Sequence, residues 1–444
     1  MINGWANKAT VSSPRAKTTA KSFSAQKKEN QMDVKDLRVN GKRLQESLEI
    51  MAKIGGTENN GVQRCAATDE DKIARDLLSK WYKECGCELI LDEMGNMFAI
   101  RKGKNPELGA VMSGSHADTQ RPGGRFDGIL GVLAALEVMR TINDNHIELE
   151  RDLIITNWTN EEGGWFAPAC MGSGVWVGNL TKEFAYARKD RDGISTFGEE
   201  LERIGYKGTY PCSYKAWNID AAYELHIEQG PQLYDEKLQI GVPKGILCLH
   251  WYDIYLEGTA NQVGPTPMHG RNDALLAFSE MNLVVNNVTH QMGNMVGTVG
   301  EIQNYPNSRN IIPSKVHFTV DIRSWDDEHA QKAWEMMKKE FEIIAQRRGC
   351  PIRTEETWKV EHAPFDAELF DRVIQTADEL GYSSKRMVSG AGHDMSEVNK
   401  ITRGAMIFVP SIDGRSHVEC EDTPYEDCER GTNVLLHCLI KSAS

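Results

Sequence analysis

The chain has 444 residues, 40% hydrophobic and 26% charged, enough to bury one large core or two ordinary ones. Its net charge of -13 argues against nucleic acid as a main partner, since phosphate recognition wants a basic surface. No apolar run is long enough to span a membrane, and ten scattered cysteines suit a cytoplasmic chain with free thiols better than a secreted disulfide scaffold. The sequons at Asn157, Asn179 and Asn287 are then incidental.

Residues 1–32 are basic, rich in Ser, Thr and Ala, and carry no acid before Glu29, which reads as a disordered tail, with an organellar presequence as the alternative. The next stretch, to residue 104, reads as helix, loop, helix and strand. Thr68 is the N-cap of a helix over Asp69 to Cys85, Asp69, Glu70 and Asp71 fill its first turn, and Gly86 stops it. A hairpin is expected between Leu89–Asp92 and Met97–Ile100.

Ala110 to Gly114 reads as a strand running into Ser115-His116-Ala117-Asp118-Thr119, and Asp127 follows in Gly124-Arg125-Phe126-Asp127-Gly128. Ile129 to Ile142 is apolar enough to be a buried helix. A His and an Asp are thus expected in the loop between a core strand and a core helix, where open α/β sheets bind ligands. Taken alone, such a pair is also what ordinary loop hydrogen bonding looks like.

Asp152 to Trp158 is a second apolar strand, emptying into Thr159-Asn160-Glu161-Glu162-Gly163. Neighbouring carboxylates at a strand end point different ways, so one can hold a metal while the other faces substrate; an ordinary acidic turn is the alternative. Alternation across Tyr223, Leu225 and Ile227 predicts a third strand with Glu224, His226 and Glu228 on one face. Such a face is costly to bury unless its groups are ion-paired or bind metal.

Residues 247–256, 272–289, 296–302, 315–323, 327–347 and 351–358 read as β-α-β-β-α-β, the split βαβ plan of a two-layer α+β domain. We therefore expect an α/β protein in which residues 240–356 are inserted into a larger mixed-sheet domain formed by 33–239 and 357–444. In the latter part, Ala405 to Pro410 is a strand leading to Ser411-Ile412-Asp413-Gly414-Arg415-Ser416-His417.

His116, Asp127, Glu162, His226 and His417 each lie in or follow such a segment of the larger domain. Nitrogen and oxygen donors of this kind suit zinc, and also admit manganese, cobalt or nickel. No tight local spacing certifies the site.

Five segments carry a resemblance: Gly114-Ser115-His116-Ala117-Asp118-Thr119, Gly123-Gly124-Arg125-Phe126-Asp127-Gly128, Thr159-Asn160-Glu161-Glu162-Gly163, Glu224-Leu225-His226-Ile227-Glu228-Gln229-Gly230-Pro231 and Ser389-Gly390-Ala391-Gly392-His393-Asp394. From about residue 35 onward the chain resembles the M20 metallohydrolases, and within them the amidase, hydantoinase and carbamoylase branch that contains β-ureidopropionase, N-carbamoyl-L-amino acid hydrolase and allantoate amidohydrolase. The resemblance implies two divalent ions per subunit, most naturally zinc, and a small domain that acts as lid and homodimer interface. It assigns His116 and His226 to one ion, Glu162 and His417 to the other, and Asp127 as the bridge. Glu161 would be the general base and Asp118 would orient His116.

Substrate contacts implied by the same resemblance are Arg323, to grip a carboxylate, with Asn310, Gln229 and Gly392. Departures lie on the substrate side. Gln262 stands where the family has the histidine that stabilises the oxyanion; losing one such donor costs roughly 3–4 kcal/mol, and replacing it with another donor less. Leu247-Cys248 replaces Gln-Gly, and His250 stands where an Arg precedes Trp251.

The implied activity is hydrolysis of a linear non-peptide carbon–nitrogen bond, in an N-carbamoyl amino acid or related ureido acid. The alternatives are an M20-type peptidase or aminoacylase, a specialised biosynthetic amidohydrolase with an altered substrate, and a non-catalytic dimeric binding protein.

Overall fold

The apolar runs of the sequence become the inner strands of one large sheet. The structure, a computed structural model, describes residues 34–444; the tail expected over 1–32 lies outside the described residues. In chain order the first strands are β1 (Glu88–Leu91), β2 (Met97–Arg101), β3 (Ala110–His116), β4 (Leu153–Trp158), β5 (Ile219–Ile227) and β6 (Ile240–Ile246). A second sheet takes β7 (Cys248–Glu257), β8 (Met295–Thr298), β9 (Ile302–Tyr305), β10 (Lys315–Ser324) and β11 (Ile352–Val360). The chain then returns through β12 (Ala363–Pro364), β13 (Ser384–Ser389) and β14 (Arg403–Val409).

The large sheet runs β1-β2-β4-β3-β5-β14-β6-β12, with β13 also on β6. Its centre, β4-β3-β5-β14, is parallel, and every residue of β3 and β4 is buried, as strands covered on both faces require. The helices Gly41–Ala52, Ile129–Asp144 and Tyr425–Ala443 pack against one another over this sheet. Ile129–Asp144 is buried along most of its length and carries one acid into the core, Glu137, whose two oxygens each accept a 2.8 Å bond from Arg43. Because the central strands are parallel, their carboxyl ends gather at one edge.

The small sheet runs β11-β7-β10-β8, with β9 beside β8 on β10, and is antiparallel throughout. Two helices, Ala274–Met292 and Asp327–Arg348, cover it, and Tyr252, Ile254, Met281, Phe318, Met337 and Phe341 form the core between the layers. Asp273 and Asp326 cap these helices by accepting backbone N–H bonds, and Gly349 ends the second at φ 62°.

Two expectations need correction. The strand expected over 296–302 is two strands, β8 and β9, parted at Val299-Gly300-Glu301. The expected boundary at 240 falls at the start of β6, which belongs wholly to the large sheet; Pro243 and Gly245 interrupt its apolar pattern and hide it in the sequence. The chain crosses to the small sheet only at Leu247-Cys248 and comes back at Glu361-His362. Among the described residues all ten cysteines are free, and no helix is long and apolar enough to cross a membrane.

Candidate metal centre

His116 is the last residue of β3 rather than part of the loop beyond it. Its Nδ1 sits 2.9 Å from the Asp118 carbonyl oxygen, which turns Nε2 toward Asp127 Oδ1 at 3.6 Å. The ring lies against Gly128, at φ 66°, where a Cβ would come within 2.2 Å of Cε1, so only glycine admits the imidazole. His226, at the end of neighbouring β5, repeats the arrangement: Nδ1 is 2.9 Å from its own next carbonyl, Ile227 O, and Nε2 is 3.2 Å from the same Asp127 oxygen. A ring nitrogen committed to a carbonyl turns the other, which in His226 also accepts from the Gly128 N–H at 3.2 Å, toward the position a cation would take.

The second oxygen of Asp127 faces the other way. His417 Nε2 lies 3.3 Å from Asp127 Oδ2 and 3.4 Å from Glu162 Oε2. Asp127 is steadied by Ser416 Oγ at 2.9 Å and Gln229 Nε2 at 2.8 Å, and its own N–H is held by Glu421 at 3.0 Å. His116, Asp127 and His226 thus offer one set of ligand atoms within 4.8 Å of one another, and Asp127, Glu162 and His417 offer a second. The five residues expected to bind metal are brought together, and Asp127 belongs to both sets.

Asp118 contacts the His116 ring through its carbonyl, while its carboxylate, 3.9 Å from the same ring nitrogen, accepts the N–H groups of Glu161 and Glu162, each at 3.2 Å. It therefore fixes the backbone that presents both glutamates. Glu161 Oε2 comes within 3.5 Å of His116 Nε2, and its other oxygen accepts from Cys170 Sγ at 3.6 Å. Glu228 leaves the strand face altogether and accepts the N–H groups of Gln232 and Leu233, starting a short helix.

The electrostatics fit cations. Burial, and then the charges of Asp394, Glu162 and Asp127, push the Glu161 carboxyl well up; burial and Asp127 do the same to Glu162. Burial drops His116 to about 4. Carboxylates crowded this closely need positive charge among them, and three imidazoles with two carboxylates are the donors that divalent transition ions prefer.

These groups floor a cavity of about 500 Å³, whose walls include Leu249, Trp251, Arg323, Trp358 and the 390–393 loop. Gln229, Arg323 and Gly392 line it. Arg323 is oriented by Asp321 at 3.0 Å and by the Gly390 carbonyl at 3.0 Å. Gln262 and Asn310 do not line it. They are exposed on the small layer, where Gln262 pairs with Ile311 and the Asn310 carbonyl accepts from Val263 N. A larger cavity of about 770 Å³ against the small sheet, lined by Tyr255, His317 and Arg353, gathers no comparable set of metal ligands.

Several contributors carried no sequence signal. Gln120 donates to Glu162 Oε2 at 2.7 Å, and Glu421 holds the Asp127 turn from nearly three hundred residues away. Cys170 also borders the site. Only a long-range pairing signal could have found these three. His393, whose ring lies 4.4 Å from that of His226, borders it too and stands within the 389–394 motif, which gave it no role.

Comparison with known proteins gives a consistent picture. The model of peptidase family M20/M25/M40 matches residues 112–441. The chain is 43% identical to an N-carbamoyl-L-amino-acid amidohydrolase of Rhizobium meliloti, over 91% of this chain and 97% of that protein. It is 31% identical to an allantoate amidohydrolase of Bacillus subtilis, over 89% and 96%. A solved structure of an amidase of the hydantoinase/carbamoylase family from Burkholderia multivorans superposes with a TM-score of 0.86 at 45% identity, over 92% of this chain and 98% of that one.

Proposed function

Because the chain belongs to peptidase family M20/M25/M40, we propose that it hydrolyses a linear non-peptide carbon–nitrogen bond in an N-carbamoyl amino acid or related ureido acid. The observation that carries the reading is Asp127, shared by two ligand sets at the floor of a cavity that has an arginine, Arg323, on its wall. His116, His226 and Asp127 would hold one divalent ion, and Asp127, Glu162 and His417 the other. Bound there, such ions, zinc by preference and manganese, cobalt or nickel by donor type, lower the pKa of water and polarise a carbonyl.

The chain's own groups supply the rest. Glu161 Oε2 takes the proton of the attacking water and returns it to the departing amino nitrogen, so that the carbon–nitrogen bond breaks with no charge stranded in the cavity. Water adds to the ureido carbon; the products are the amino acid and a carbamate that falls apart to carbon dioxide and ammonia. Arg323 grips the substrate carboxylate, and Gln229 and the Gly392 backbone border the reacting group. Gln262 and Asn310 serve the reaction only when the small layer closes further or a second copy presents them. This favours a homodimer built through that layer, with Gln262 as a neutral donor to developing charge. Free thiols throughout the described chain support a cytoplasmic setting.

The test is a substrate panel on metal-loaded protein: N-carbamoyl-L-amino acids, N-carbamoyl-β-alanine, allantoate, N-acyl amino acids and dipeptides, scored for ammonia and amine release. Ammonia from a carbamoyl or ureido acid is expected. Turnover of acyl or peptide substrates alone would replace this reading with the aminoacylase or peptidase one.

A further inference from the structure

The two crossings between the sheets meet at a second cluster of metal-ligand residues. Cys248 and His250 lie two apart on β7 and so share one face; both are fully buried. Asp327 is the first residue of the helix Asp327–Arg348, which packs behind that strand. One ligand atom each from Cys248, His250 and Asp327 lie within 4.8 Å of one another. His362, where the chain returns to the large sheet, contacts the other Asp327 oxygen through Nδ1 at 2.5 Å.

We propose that Cys248, His250 and Asp327 form a structural site for a single transition-metal ion of zinc type, separate from the centre around Asp127. The spacing of His250 and Asp327 suits coordination better than hydrogen bonding. His250 Nε2 and Asp327 Oδ1 are 3.5 Å apart, long for a hydrogen bond but close to the edge of a tetrahedron with ~2.0–2.2 Å metal–ligand bonds. The remaining His250 nitrogen faces the Tyr252 hydroxyl at 3.4 Å, and that ring is fixed by stacking on Trp334 at 3.6 Å. A ligating imidazole is normally held in this way through its second nitrogen.

Charge points the same way. With a divalent ion bound, the Cys248 thiolate, the Asp327 carboxylate and the cation would sum to zero.

The site has a purpose in the fold. On β7 the residues Leu249 and Trp251 face the substrate cavity, while Cys248 and His250 face the opposite way. An ion behind the strand would pin β7, the start of the long helix and, through His362, the return crossing. It would hold the cavity wall in register from the far side.

The test uses cobalt(II) in the full-length protein, read by near-ultraviolet absorption and by metal content, neither of which needs activity. Cobalt-loaded wild type is expected to show a thiolate-to-cobalt charge-transfer band. Cys248→Ser should lose that band and one ion per chain, whereas Cys170→Ser, at the other centre, should keep both. Folded, cobalt-loaded wild type without a thiolate band would overturn the proposal without recourse to any variant. A band that survives Cys248→Ser would overturn it too.

Discussion

Arg323 offers the sharpest test of how substrate is held. Of the five N–H bonds of a guanidinium, three are committed: two to Asp321, at 3.3 and 3.0 Å, and one to the Gly390 carbonyl at 3.0 Å. Two remain, one on each terminal nitrogen, to meet a carboxylate. A hydrogen bond between charged groups contributes about 1.5–3 kcal/mol, and because the Arg323 side chain is 29% exposed we take that range for the pair rather than for each bond. Arg323→Ala should therefore lower kcat/KM about 10- to 150-fold on a carboxylate-bearing carbamoyl substrate. Arg323→Lys should recover only part of this, since a point charge cannot make the paired contact. The assay compares each variant on an N-carbamoyl-L-amino acid and on the same compound with its carboxylate converted to an amide. Only the former should suffer. An equal loss on both would mean that Arg323 shapes the cavity wall instead of binding the acid.

Glu161→Gln keeps the shape of the side chain but cannot carry a proton; kcat should fall about 100- to 10,000-fold while metal content stays at the wild-type level, measured by turnover and elemental analysis side by side. Gly128→Ala drives a methyl into the His116 ring, so metal affinity should drop about 10- to 100-fold by competition with a chelator, with the fold intact by circular dichroism. Arg75 is fully buried, paired with Asp71 at 2.8 Å and bonded to Thr159 Oγ1 at 3.1 Å just before the Glu161-Glu162 turn. Arg75→Met strands the carboxylate and should cost about 3–5 kcal/mol in denaturant unfolding. Asp92, nearly wholly buried, is pushed up by burial from 3.8 to about 6, against hydrogen bonds from Asn96 and Met94. With its folded pKa above the unfolded one, its contribution is most favourable below about pH 4 and is lost as pH rises through 6. Wild-type stability relative to Asp92→Asn should accordingly fall by about 2 kcal/mol between pH 4 and pH 7, and a flat difference would contradict the assignment.

What was legible in the sequence follows from what local pattern encodes. Continuous apolar runs marked β3, β4 and the helix Ile129–Asp144, because a core element buried on all sides leaves no polar face to confuse its reading. Acidic first turns and a terminal glycine set the ends of the helix Asp327–Arg348. β6 was lost because Gly241, Pro243 and Gly245 deprive it of pattern, although pairing with β13 makes it a strand. The motifs pointed to the five candidate residues, but no spacing says that Asp127 turns one oxygen to each set; that depends on β3, β5 and the 411–417 segment meeting at one edge. Nor does a motif distinguish the two halves of Asp118, whose carbonyl holds His116 and whose carboxylate holds the glutamate turn. Gln262 and Asn310 show the converse: the pattern aligned them with substrate-binding positions, and within one chain they lie outside the cavity.

The most direct test is an anomalous-difference map from crystals of the metal-loaded protein, collected on both sides of the metal absorption edge. The account predicts two peaks sharing Asp127, one bounded by His116 and His226 and the other by Glu162 and His417. A map with no density at Asp127, or with ions bound only elsewhere, would contradict it.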